Sequence, residues 1–224
     1  MCIIIFDMNQ KEKKKKLSII TSFMNYTLDN DNYPKSVYKF CQVSEIEEKS
    51  FYRFFGSLDG VKATIWETFY DNAMSLLEKD ENFENAKPKE KLLSFYYTFF
   101  EVMLLNRSYI LFALSGSEKI MNKMGQLSYL RKTFKGFASE LIEDGNIDKP
   151  SYLQHPPKIF SEAAWVQLGF LIKFWIDDTS ADFEKTDQAI EKSVQTAFDV
   201  FDNTPLSALL DFGKFLWKEK FAFS

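Results

Sequence analysis

Lys49, Ser50, Tyr52 and Arg53, set around Phe51 and Phe55, are the side chains whose spacing most sharply suggests chemistry. Phe51 and Phe55 are four residues apart, so on a helix they share a face and can anchor it on a core. Tyr52 and Arg53 then project away, and a phenol beside a guanidinium suits phosphate contacts. Lys49 and Ser50 fall early in the same helix, where side chains can reach base edges in a groove. Upstream lies the chain's one charge run, Lys11-Glu12-Lys13-Lys14-Lys15-Lys16. Two readings stay open for it: cations laid along a polyanion backbone or reaching a minor groove, or a solvated helix start.

Other chemistries find little material. The only histidine is His155, and the only cysteines are Cys2 and Cys41. Two cysteines cannot form a disulfide framework, which fits a reducing compartment, and no His/Cys zinc site with the usual ligand count can be assembled. His155 precedes Pro156 and Pro157 and reads as an exposed loop residue. There is no Gly-rich phosphate loop, no HExxH and no ExxH pair, and Asp177-Asp178 reads as a helix end followed by a loop. No catalytic residue, metal or cofactor is expected.

The elements that must position these side chains are helices. The 224 residues are 46% hydrophobic and 27% charged, with a net charge of −4, which excludes wholesale disorder. Only eight Gly and six Pro argue against a turn-rich β fold, and 24 Phe allow a large core. No run of continuous apolar residues reaches membrane-span length, so neither a membrane partner nor a signal peptide is expected, and the location implied is the cytoplasm. Periods of three and four recur almost without break. They predict helices over about 13–28, 36–43, 47–54, 57–79, 88–106, 108–121, 125–143, 161–177, 182–201 and 206–220. Residues 80–87 read as a polar connection. Residues 1–12 read as a disordered leader, with Met8 a possible true start. Two short helices under two long ones form the helix-turn-helix plan, and the apolar remainder must be a second bundle. The fold class is therefore all-α.

The segment Phe40-Cys41-Gln42-Val43-Ser44-Glu45-Ile46-Glu47-Glu48-Lys49-Ser50-Phe51-Tyr52-Arg53-Phe54-Phe55-Gly56-Ser57 resembles the tetracycline-repressor (TetR) family of bacterial transcriptional regulators. That family reads roughly I-A-x-x-A-G-V-S-x-G-T-F-Y-x-H-F-x-S-K-E-x-L. Phe40 and Cys41 fall on its I-A, Ile46 on its V, Ser50-Phe51-Tyr52 on its T-F-Y, Phe55 on its last F, Ser57 on its S and Asp59 on its E. The family's Thr opening the second helix falls on Ser36. The match covers about 17–61; beyond it the likeness is one of architecture. The ending around Gly213-Lys214-Phe215-Leu216 is similar to tails of such proteins from Bacteroidetes-type bacteria.

The resemblance implies a three-helix DNA-binding head over 13–60 and a larger effector-binding and dimerisation bundle over 61–224. It implies double-stranded DNA contacts from Lys35, Ser36, Lys49, Ser50, Tyr52 and Arg53, a homodimer, and repression released by a small apolar effector. Tyr96, Phe99, Phe100, Met103, Tyr109, Phe134 and Trp165 are expected to wall the effector pocket, although plain core packing is the commoner fate of such stripes. Leu168, Leu171, Ile172 and Trp175, with Ile190, Val194 and Phe198, are expected at the dimer interface.

Three departures from the family pattern matter. The turn glycine is Glu45, the cap serine before the recognition helix is Glu47, followed by Glu48, and the lysine after Ser57 is Leu58. From Leu17 to Gly60 four bases face six acids, a net −2. Carboxylates at a helix start favour its dipole but repel phosphate. A second reading therefore stands beside the first: a TetR-like module for a small molecule or a partner protein that has lost specific DNA binding.

Overall fold

A computed structural model describes residues 2–114, 125–147 and 149–203. Among these every regular element is helical: α1 Cys2–Asp29, α2 Val37–Val43, α3 Glu48–Phe54, α4 Leu58–Leu77, α5 Glu81–Asn85, α6 Pro88–Leu104, α7 Arg107–Leu114, α8 Ser128–Asn146, α9 Pro157–Asp177 and α10 Glu184–Asn203, with short 3-10 turns at Ser151–Leu153 and Ala181–Phe183. The helix expected over 206–220 lies outside the described residues.

Three expectations are corrected here. α1 begins at Cys2, not at 13, so the stretch read as a disordered leader is helical. The connection at 80–87 contains α5, which Asp80 caps by accepting from the Asn82 amide at 3.0 Å. α9 starts at Pro157, four residues early, because proline suits a first turn.

The chain packs as two compact units. The first holds Met1–Asp71 and Val102–Leu130, the second Asn72–Glu101 and Arg131–Ser224, where a single boundary after residue 60 was expected.

In the first unit the core is aromatic. Phe23, Phe40 and Phe51 are fully buried, and Phe40 meets Phe23 and Phe51 edge-on at 5.7 and 6.0 Å between ring centres. Phe55 packs against Phe51 at 5.7 Å. Ser36 caps α2 by accepting from the Lys39 amide at 3.2 Å, and Ser57 caps α4 by accepting from the Gly60 amide at 3.1 Å. Between α2 and α3 the Ile46 amide donates back to the Cys41 carbonyl at 2.9 Å, closing a Schellman turn. The turn needs one residue in the left-handed region, and Glu45 holds that place at φ 53°. The family geometry is thus kept, with a carboxylate residue where glycine fits without strain.

In the second unit Phe95 stacks on Phe99 at 5.4 Å and lies 5.3 Å from Phe134 and 5.2 Å from Phe137. At the α9–α10 junction the buried Asp178 accepts from the Ser180 and Thr186 amides at 2.8 and 2.9 Å and from both their hydroxyls at 2.7 Å. Burial opposes its charge, but these bonds outweigh burial and hold its carboxyl well below the usual range. The junction is thereby fixed, as a helix end followed by a structured loop.

The strain at Glu45 predicts that Glu45→Gly stabilises the fold by about 1 kcal/mol. Urea unfolding measures this; a loss of stability would show that the Glu45 side chain contributes contacts that outweigh its backbone cost.

Candidate nucleic-acid interface and apolar crevice

α3 is seven residues long and its orientation rests on Phe51, the residue it buries completely. Phe55, the C-cap residue, is buried as well. With both rings held inside, Tyr52 is left 54% exposed and Lys49 and Arg53 are exposed, while Ser50 is half-buried. Lys35 and Ser36 are exposed at the start of α2. All six residues expected at a DNA interface thus lie in the first unit, and five keep exposed side chains. Ser36 doubles as the α2 cap, so its hydroxyl already has a backbone donor.

Beside α3 runs a groove of about 460 Å³ lined by Lys11, Glu12, Lys15, Glu47, Lys49, Ser50, Arg53 and Phe54. Four cations and two carboxylates leave it net positive, although residues 17–60 alone carry a net −2. The reason is geometric: Lys11 and Lys15 are four apart on the helix that begins at Cys2, and so reach one face together. The groove also holds an ion pair between Arg53 and Glu12, which engages the guanidinium that the sequence offers to phosphate. The pair is solvated on both sides and so weak in itself. It nevertheless sets a competitor beside any phosphate that Arg53 would bind.

The second unit contains an apolar crevice of about 620 Å³ between α6, α8, α9 and α10. Its walls carry small residues, Ala163 and Ala164 from α9 and Ala189, Ser193 and Ala197 from α10, and its ends carry Phe160, Phe170, Phe198 and Phe201. Small residues recurring every four positions along α10 leave this space unfilled. The repeat at 189, 193 and 197 is a signal in the sequence that the larger rings overshadow. Polar groups are few. Tyr96 donates to Gln167 at 3.2 Å, Gln167 donates to Ser193 at 3.0 Å, and Ser193 donates to the Ile190 carbonyl at 3.1 Å.

None of the seven residues expected to wall an effector pocket lines this crevice. Tyr96, Phe99, Met103 and Phe134 are fully buried, and Phe100, Tyr109 and Trp165 nearly so. They are core, and Met103 and Tyr109 belong to the first unit. Tyr96 comes nearest, one hydrogen bond behind Gln167.

The expected dimer residues are also placed differently. Leu168, Leu171, Ile172, Trp175, Ile190 and Val194 are buried within the chain, and Phe198 is half-buried in the crevice. α9 is apolar on both sides, and these residues of α9 form its inward stripe. The outward stripe carries Ile159, Ala163, Val166 and Phe170; Val166 is 69% and Phe170 56% exposed. The same two-sidedness makes residues 151–177 long and apolar enough, by length and composition, to cross a membrane; a third of the most apolar window is buried.

His155 is a further correction, since it is buried. Its ring lies 4.3 Å from Phe160 and 5.1 Å from Phe201, and its Nε2 meets the Phe201 carbonyl at 2.9 Å. That carbonyl can only accept, so Nε2 carries the proton and Nδ1, buried without a partner, does not. Asn146 clamps the His155 backbone at both its amide and its carbonyl, at 3.1 and 2.9 Å. Lys149 donates to the same Phe201 carbonyl at 2.8 Å and pairs with Asp202 at 2.8 Å. Burial pushes the His155 pKa down; the bond to Phe201 and the charge of Asp202 oppose this, and Lys149 reinforces it. No group of three or more His, Cys, Asp or Glu able to hold a metal occurs among the described residues.

Among the described residues every element is helical, and two short helices meeting at a Schellman turn beside a long helix form a helix-turn-helix. The family model for the tetracyclin repressor-like C-terminal domain matches residues 91–216, more than half of the chain. The chain belongs to the TetR family of transcriptional regulators. Among solved structures, a protein assigned to the TetR-family transcriptional regulators of Syntrophomonas wolfei str. Goettingen is similar, with a TM-score of 0.64 over 87% of this chain and 98% of that one. Its identity is 16%, so the likeness is one of fold. No curated protein matches.

The buried neutral imidazole sets a pH dependence. A folded pKa below the ordinary value near 6.5 contributes stability that is complete above that value and lost as pH falls beneath it. The wild type should therefore lose more melting temperature between pH 7.5 and 5.5 than His155→Gln. Equal losses in both proteins would contradict this.

Proposed function

We propose that the chain is a homodimeric transcriptional repressor that reads DNA through α3 and is released by a small, largely apolar effector. The observation that carries the DNA reading is the outward set of Lys49, Tyr52 and Arg53 on a helix pinned by Phe51, flanked by Lys11 and Lys15. Lys49 and Ser50 would approach base edges, while Tyr52, Arg53 and Lys35 would meet phosphates. The 620 Å³ crevice is the effector site in this reading, a size within the range of small-molecule pockets. Occupancy would alter the separation of the two recognition helices, which must lie about 34 to 36 Å apart to read two half-sites.

Selection from random duplexes at low salt tests the DNA reading. A palindromic site is expected, with affinity that falls steeply as salt rises. Lys49→Ala should change the preferred sequence. Arg53→Ala should weaken binding to all duplexes alike. Failure to select any duplex, with a flat salt response, would overturn the proposal.

The acidic residues at 45, 47 and 48 and the Arg53–Glu12 pair favour the second reading, a regulator fold that has lost DNA binding. Under it, Glu47→Ser with Glu48→Lys creates DNA affinity that the wild type lacks. Nanomolar binding of the wild type to a selected site would remove this reading.

The homodimer is proposed to form through the outward stripe of α9. Burying Val166 and Phe170 against their copies would remove apolar surface that is otherwise wet. Val166→Glu with Phe170→Glu should turn a dimer into a monomer in light scattering after size exclusion. A variant that stays dimeric would place the interface elsewhere.

A further inference from the structure

The crevice between α9 and α10 has one feature that an apolar effector leaves unused. Of its lining residues, Lys192 alone is charged. Lys192 has no ion pair among the described residues. Nor does the sequence supply a partner on its own helix: the positions three and four away are Gln188, Ala189, Gln195 and Thr196. No carboxylate lines the crevice, and the neighbouring Ser193 and Thr196 hydroxyls already donate to the Ile190 and Lys192 carbonyls, at 3.1 and 2.8 Å. The rest of the wall is aliphatic or aromatic and reaches inward to Leu92, Leu141 and Ile142.

We propose that the crevice takes an amphipathic monoanion, its apolar body lying between α9 and α10 and its carboxylate held by Lys192. The assignment rests on the crevice being the effector site, and it names the chemical class of the effector. Charge complementarity selects the sign. A single unpaired cation at an apolar wall favours one negative head group, because an anion placed there meets no repelling carboxylate and gains charge-assisted hydrogen bonds. Size sets the body. At about 30 Å³ per water-sized group, 620 Å³ holds roughly 20 such groups, enough for a medium-chain acyl tail or two fused rings. Gln167 accepts from Tyr96 and donates one of its two amide hydrogens to Ser193.

Calorimetric titration of the full chain at pH 7.5 with decanoate and with decanol as probes tests this. The wild type should bind decanoate about tenfold more tightly than decanol, the scale of one charge-assisted contact. Lys192→Gln should erase that preference while leaving decanol binding unchanged, and Lys192→Arg should retain it. Ala164→Trp, which fills the crevice, should abolish binding of both probes. Equal affinity for the two probes, unmoved by Lys192→Gln, would overturn the anion assignment and leave the effector site standing. Binding of neither probe would overturn the effector site itself. If Ala164→Trp keeps decanoate binding, the ligand sits elsewhere. If it loses the dimer instead, the crevice belongs to a second copy of the chain. Either of those last two outcomes overturns the proposal.

Discussion

The burial of Phe51 against Phe40, with Phe55 beside it, is the interaction on which the head depends. α3 is only seven residues long, too short to hold its shape or its direction alone in water. Its two rings dock it on a core shared with Phe23 of α1, and every other side chain of α3 is oriented as a consequence. The turn before it is equally constrained. One residue must be left-handed for the Ile46 amide to reach the Cys41 carbonyl, and Glu45 accepts that conformation. Packing energy from the aromatic cluster thus overrides a local preference for glycine.

Electrostatics then modifies what packing has positioned. From Leu17 to Gly60 acids outnumber bases, yet the groove beside α3 collects four cations and two carboxylates. Linear charge counts miss this because Lys11 and Lys15 come from a distant part of α1. The same helix brings Glu12 to Arg53. A phosphate approaching Arg53 would meet a guanidinium already paired with a carboxylate.

The helical class, the helix-turn-helix and the outward set on α3 were legible in the sequence because their signals are local: a spacing of four between aromatics, serine caps at 36 and 57, and breakers between helices. The crevice and the outward stripe of α9 were not, because α9 is apolar on both sides and periodicity cannot say which side faces the core. Large aromatics were read as pocket walls, whereas large rings fill space and small residues leave it; Ala189, Ser193 and Ala197 were the better sign. His155 was misread for a related reason. Prolines and polar neighbours mark a loop, but the contacts that bury this ring come from Phe160 and Phe201, the latter 46 residues away.

The central claim is that aromatic docking presents two copies of α3 to adjacent turns of one duplex face. Pulsed electron–electron resonance tests it most directly, with spin labels on Tyr52→Cys in a Cys2→Ser background and Cys41 left buried. The account predicts an intermolecular distance that sharpens to about 34 to 36 Å between helix centres, allowing for label length, when selected DNA is added. No intermolecular distance, or a distribution that DNA leaves unchanged, would contradict it.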